Sequence, residues 1–297
     1  MNNLSPRYLL TGFLFAALWA SASSAGKFGI MSAEGLVLFV VRFFLAGILL
    51  LAYATFIQHD RFPGKNEWKP LIIFGALNTA LYLGIFIVAL SEVTAGITTI
   101  ALALNPLLIS FITAIWLKRP VSAMEWVSIF IGIIGVVVVA YPLLQESYAT
   151  VPGLLMIALC MLAYSLGSVY YGTITWKLSR TAINGWQVLI GGILLVPLAV
   201  LMHSKTNHFD ARFWLSIGWL VIPVSIGAVQ LWLYLLKSDP VKASLWLFLC
   251  PVFGLIYATF LLDEPFTIHT VIGSALVLIA LALGQRAGKN SPAVSKP

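Results

Sequence analysis

Charge is scarce in this 297-residue chain. Only 9% of its residues are Asp, Glu, Lys or Arg, against about 25% in a soluble globular domain. That shortage excludes an ordinary soluble fold, a disordered chain and a nucleic-acid-binding surface. Cysteine is nearly absent, with Cys160 and Cys250 alone, which excludes a disulfide scaffold. The four histidines, His59, His203, His208 and His269, have no ligand spacing, so no metal is expected. No phosphate-binding loop, Gly-rich dinucleotide turn or Ser-His-Asp arrangement can be assembled. Neither a cofactor nor an enzymatic activity is expected.

What is present is apolar. Hydrophobic types make up 61% of the chain and mean hydropathy is +1.00. A spanning helix needs roughly 20 apolar residues. Ten such stretches lie near 7–26, 34–57, 69–90, 94–117, 123–142, 151–176, 183–202, 212–236, 241–262 and 267–286. The breaks between them are short and polar or Pro-bearing, as at Lys118-Arg119-Pro120 and Asp263-Glu264-Pro265. The predicted class is an all-α polytopic membrane protein with the lipid bilayer as its solvent. Orientation follows from the cations. With both termini cytoplasmic, thirteen of the 17 Lys and Arg fall inside, and only Lys27, Lys205 and Arg212 fall outside. This positive-inside bias accounts for the net charge of +7 without an acidic partner. The remaining cation, Arg42, lies within a span.

The chain also matches itself. Gly12, Leu14, Ala17 and Leu18 meet Gly153, Leu155, Ala158 and Leu159 at an offset of 141. Gly47-Ile48-Leu49-Leu50 meets Gly192-Ile193-Leu194-Leu195 at 145, and Pro106 meets Pro251 at the same offset. In the third spans, Asn78 and Tyr82 meet Gln230 and Tyr234 at 152. Five spans per repeat is an odd number, so the two halves are expected in opposite orientations. Residues 1–146 form the first repeat, 147–290 the second, and 291–297 a polar tail. Inverted repeats of this kind characterise transporters.

Ten spans in a five-plus-five inverted repeat resemble the drug/metabolite transporter superfamily, in particular its EamA family. Each fourth helix carries an early Pro (Pro106, Pro251), ends in a charged turn and leads into a Gly-bearing fifth helix. Arg42 in Val41-Arg42-Phe43 is similar to an Arg often found in the family's second helix. The resemblance covers about residues 7–286. It implies a bacterial inner-membrane carrier, most often an exporter of amino acids or related metabolites, with helices 5 and 10 peripheral.

Polar side chains inside a membrane usually face the bundle interior or a wet cavity, although they also serve as interhelical glue. Asn78 and Tyr82, one helical turn apart, share a face, and Gln230 with Tyr234 are expected to face them across the midplane. Trp19 and Tyr164 are candidate aromatic walls, Asn105 a further amide, Trp246 a weaker candidate. Arg42 either snorkels or binds a substrate carboxylate. Pro106 and Pro251 are candidate hinges. No carboxylate maps to mid-membrane, which weighs against a proton-coupled exporter of cationic drugs, although such an exporter stays the alternative reading. A membrane enzyme or sensor component would need a catalytic cluster or a soluble domain. The partner expected is a small-molecule substrate; monomer and homodimer both stay open.

Overall fold

Lipid offers the backbone no hydrogen bonds, so a chain this apolar must satisfy its amides within helices. The computed structural model describes residues 5–90, 92–93, 95–144, 149–262 and 267–287. It contains ten helices long and apolar enough to cross a bilayer: α1 (Pro6–Ile30), α2 (Gly35–Phe56), α3 (Lys65–Ala89), α4 (Ile97–Trp116), α5 (Ala123–Pro142), α6 (Val151–Thr173), α7 (Arg180–Leu201), α8 (Ala211–Ser238), α9 (Pro240–Tyr257) and α10 (Ile268–Arg286). The ten predicted spans are all present. The Asp263-Glu264-Pro265 turn and the polar tail lie outside the described residues.

Local sequence sets the helix starts. Ser5, Thr150, Ser179 and Asp210 each accept a hydrogen bond from the backbone N–H three residues on, satisfying an otherwise orphaned donor. Pro6, Pro152 and Pro240 sit where the missing N–H costs nothing. Proline has the opposite effect further in. The fourth helix breaks at Leu104, directly before Asn105-Pro106. In α9 a 3₁₀ turn, Leu245–Phe248, precedes Pro251. Each proline lacks a donor and crowds the carbonyl four residues back.

The largest helix contacts are kept when each helix of the first five is exchanged for its counterpart in the second five. The fifth helices pack on each other (α5 with α10), as do the second (α2 with α7) and the fourth (α4 with α9). Three further contacts come in matched pairs: α1 with α8 and α6 with α3; α1 with α9 and α6 with α4; α2 with α8 and α7 with α3. At the α5–α10 crossing the backbones nearly touch. A Cβ on Gly273 would stand 2.5 Å from the Gly135 carbonyl oxygen.

The helix starts also revise the register of the internal match. Residues 6 and 151, 35 and 180, and 123 and 268 open corresponding helices, each pair 145 apart. Helices α3 and α8 each contain nine residues of wide, π-helical turns, Ala76–Gly84 and Leu220–Ala228, 144 apart. The offsets of 141 and 152 are therefore displaced, by about one turn in α1/α6 and about two turns in α3/α8. Apolar helices match themselves at several registers, because small and aliphatic residues recur every turn.

Candidate functional site

Two buried features meet in the middle of the bundle. The first is a chain of hydrogen bonds through four helices. Asn78 (α3) donates from Nδ2 to Gln187 Oε1 (α7) over 2.9 Å. Gln187 donates from Nε2 to Asn184 Oδ1 over 3.0 Å. Asn184 donates from Nδ2 to the Ser225 carbonyl (α8) over 2.9 Å. Ser225 Oγ accepts from Arg42 Nε (α2) over 2.8 Å. Thr79 adds a longer bond to Gln187 Oε1, 3.4 Å. Asn78 and Thr79 come from the wide turns of α3, Ser225 from those of α8. Arg42 is buried, with its guanidinium 5.3 Å from the Phe39 ring centroid and 5.4 Å from that of Phe43. Buried polar atoms are nearly always paired. Among the described residues, Asn78 Oδ1 is buried without a partner, and so is the Tyr164 hydroxyl.

The second feature is aromatic. Phe15 stacks on Trp232 (4.9 Å) and Trp232 on Tyr164 (5.8 Å). Tyr164 lies 4.6 Å from Tyr82 and 6.5 Å from Trp19. Tyr82 connects the two features, since it stands one turn after Asn78 and within electrostatic reach of Arg42. Beside the cluster, Asn105 accepts from Ser165 Oγ at 3.1 Å and lies 3.2 Å from Met161 Sδ. That ties the break in α4 to α6.

The structure thus brings together Asn78, Tyr82, Arg42, Trp19, Tyr164 and Asn105, but not the whole predicted set. Gln230 donates to the Arg180 carbonyl at the start of α7 (3.3 Å), and Arg180 lies over the Tyr234 ring at 5.1 Å. Gln187 stands seven residues further along α7, about 10 Å deeper at 1.5 Å per residue. Gln230 and Tyr234 are therefore near a helix end, not opposite Asn78 and Tyr82, as the displaced register requires. Trp246 also lies elsewhere. It packs over Gly12 between Tyr8 (6.2 Å) and Phe13 (5.3 Å). The sequence reading missed Asn184, Gln187 and Ser225. Two signals were available: Asn184 and Gln187 share a helix face, and Gln187 stands 145 residues after Arg42.

Polar contacts join separate elements at both ends of the bundle. At the end where α1 starts and α10 finishes, Arg119 Nη2 donates to Glu125 and to Asp239, both at 2.8 Å, with the Glu125 side chain fully buried. Burial works against the Arg119 charge, but Asp239 and Glu125 outweigh it and raise its pKa. At the opposite end, Glu34 accepts from the Ser204 and Lys205 N–H groups and contacts His203 Nδ1. Those partners, the Ser204 N–H foremost, hold its pKa at about 2 instead of 4.5. Among the described residues no group of three or more His, Cys, Asp or Glu could hold a metal ion.

Comparison with known proteins agrees with this architecture. The model of the EamA-like transporter family matches residues 6–141 and again 151–284. The "Uncharacterized inner membrane transporter YedA" of Escherichia coli K12 is 26% identical over 281 residues, covering 92% of this chain and 90% of that protein. An "Uncharacterized transporter" of Archaeoglobus fulgidus is 26% identical over 270 residues, covering 90% and 95%. A solved crystal structure superposes with a TM-score of 0.79 over 93% of this chain and 96% of its own, at 20% identity. That last likeness concerns the fold alone.

Proposed function

The chain belongs to the EamA-like transporter family, and from that premise we propose that it moves a small zwitterionic metabolite, an amino acid or a related compound, out across a bacterial inner membrane. Its two halves, 1–146 and 147–290, are inverted repeats that rock about the central site, and both termini are cytoplasmic. One observation carries the substrate class. The bundle interior holds amides, hydroxyls, tyrosines and one guanidinium, but no carboxylate from the middle of a described span. Such a site suits a ligand that brings its own carboxylate and its own donors. Arg42 supplies the positive field for the carboxylate. Asn78 Oδ1, buried without a partner, is an acceptor for an ammonium. Tyr82, Tyr164 and Trp19 supply contact surface.

The transport cycle uses the polar contacts at the two ends. Orientation by cation count places the Arg119–Glu125–Asp239 contacts at the cytoplasmic end and the Glu34 contacts outside. Releasing one set while keeping the other exposes the centre to one side at a time. The breaks before Pro106 and Pro251 let the outer part of each fourth helix swing without distorting the rest.

A second reading rests on the five-ring cluster of Phe15, Trp19, Tyr82, Tyr164 and Trp232. Stacked rings attract a lipophilic cation, which would make the chain a drug exporter of the same superfamily. Counterflow in proteoliposomes separates the two readings. Radiolabelled amino acids, a nucleoside and a quaternary ammonium dye are offered to wild type and to an Asn78→Ala/Gln187→Ala variant. Saturable amino-acid exchange that the variant loses supports the first reading. Dye transport that needs an imposed proton gradient overturns it.

A further inference from the structure

We propose that the hollow between the α2–α3 turn, the start of α3 and the α6–α7 turn binds the phosphate of an anionic phospholipid headgroup. The hollow has a volume of about 370 Å³ and is lined by Arg61, Lys65 and Lys177, with Asn66, Thr175 and Trp176 among the other walls. Three cations face one carboxylate there, that of Glu67. Glu67 is already engaged: Arg61 grips it with two nitrogens at 2.7 Å each, and the Gly64 N–H donates to it at 2.7 Å. Lys177 stands within electrostatic reach of the same carboxylate. Arg61 and Glu67 thus neutralise each other, and Lys65 and Lys177 leave the hollow cationic, with Asp60 behind Arg61 offsetting part of their charge.

The walls are built before any ligand arrives. The Ser179 N–H donates to Asp60 Oδ2 at 3.1 Å, and Ser179 Oγ lies 3.2 Å from Gln58 Oε1, joining the two turns. Trp176 Nε1 donates to the Tyr171 carbonyl at 3.0 Å, fixing the indole at the rim. The neighbouring side chains mark the headgroup level of the bilayer. Trp68 and Trp186 pack edge to face at 4.8 Å, and Phe62, 69% exposed, completes the group at 5.1 Å from Trp186. Aromatic groups of this kind line membrane interfaces. A cationic hollow between helix ends, beside such a belt, recognises a lipid phosphodiester. The hollow lies on the cytoplasmic side if the proposed orientation holds, but binding itself does not depend on which substrate is carried.

The test is tryptophan quenching in vesicles. The full-length protein is reconstituted into phosphatidylcholine with increasing dibrominated phosphatidylglycerol, and separately with dibrominated phosphatidylcholine. The expected result is about tenfold tighter association of phosphatidylglycerol at low salt, from two lysines partly offset by Asp60. That preference should fall to within about twofold in Lys65→Gln/Lys177→Gln, whose exposed side chains make the variant's folding safe. Trp176→Phe should reduce the lipid-specific part of the quenching. Equal quenching by both lipids, or an unchanged preference in the lysine variant, overturns the proposal. Binding of inorganic phosphate by the protein in phosphatidylcholine, together with equal quenching by the two brominated lipids, assigns the hollow to a free anion and overturns the lipid assignment.

Discussion

Arg42 and Gln187 occupy the same place in two helices, the eighth residue of α2 and the eighth of α7, and belong to one hydrogen-bonded chain. Because α2 and α7 pack against each other, matched positions on them face a shared interior. One half contributes a permanent charge there and the other a neutral amide, so the site is polar on both sides but cationic on one.

Gln187 is the residue whose loss should matter most. Gln187→Leu strands the Asn78 donor and the Asn184 acceptor, and a buried unpaired group costs about 1–3 kcal/mol. Transport should drop by about tenfold or more, mainly through weaker substrate binding. Gln230→Leu, near the helix end, should leave the binding constant within about twofold. Half-saturation concentrations in the counterflow assay compare the two.

The α5–α10 crossing should be intolerant of side chains. Gly273→Val places branched carbons against a backbone carbonyl, and overpacking of this kind costs about 1–3 kcal/mol. Gly218 has nothing within 4 Å of a built Cβ, so Gly218→Ala should be neutral or stabilising by up to about 1 kcal/mol. Melting temperatures of the purified variants in detergent test the contrast.

The Arg119–Glu125–Asp239 cluster should behave as one unit. Arg119→Gln leaves Glu125 buried without its cation, and breaking a buried pair from one side costs about 3–5 kcal/mol. Adding Glu125→Gln to that variant should recover part of the loss. A double-mutant cycle on thermal midpoints measures the coupling.

Acid should loosen the Glu34 end first. The Glu34 carboxyl has its pKa depressed from 4.5 to about 2 by the Ser204 N–H, His203 and the Lys205 N–H. A depressed acid stabilises the fold fully above its ordinary pKa and loses that contribution as pH falls through the folded value. Stability should decline progressively from about pH 4.5 towards pH 2, and Glu34→Gln should flatten that part of the curve. A pH series of melting temperatures checks the sign.

Straightening the proline breaks should slow transport without weakening binding. In Pro106→Ala the donor returns and the fourth helix can close across Leu104. We expect maximal counterflow to fall several-fold at an unchanged half-saturation concentration. A change in affinity alone would remove the hinge role.

The fold was legible because lipid imposes one rule throughout: each apolar run long enough to cross must be a helix, and Ser5-Pro6, Asp239-Pro240 and their like mark where helices begin. The site was only half legible. Asn78, Tyr82, Trp19, Tyr164, Asn105 and Arg42 stand out as polar or aromatic residues within apolar runs. Gln230 and Tyr234 stood out for the same reason, yet depth in the bundle depends on register, and side-chain identity does not report it. Asn184 and Gln187 were overlooked because they lie in the first third of a span, where polar residues are ordinarily ascribed to the interface. Only packing reveals that α3 and α8 cover them.

The wide turns of α3 and α8 set the rotational phase of everything beyond them. A π-helical turn holds one residue more than an α-turn, and each residue of an α-helix advances the side chains by about 100°. If Ala76–Gly84 closed into an ordinary helix with no residue removed, every side chain past it would be carried round by about one residue's step, roughly 100°, for each wide turn lost. Phe86, 6.2 Å from the Tyr82 ring, would be carried round towards a different neighbour. Which face α3 shows to α6 and α7 is therefore fixed by the number of residues per turn as much as by their kind.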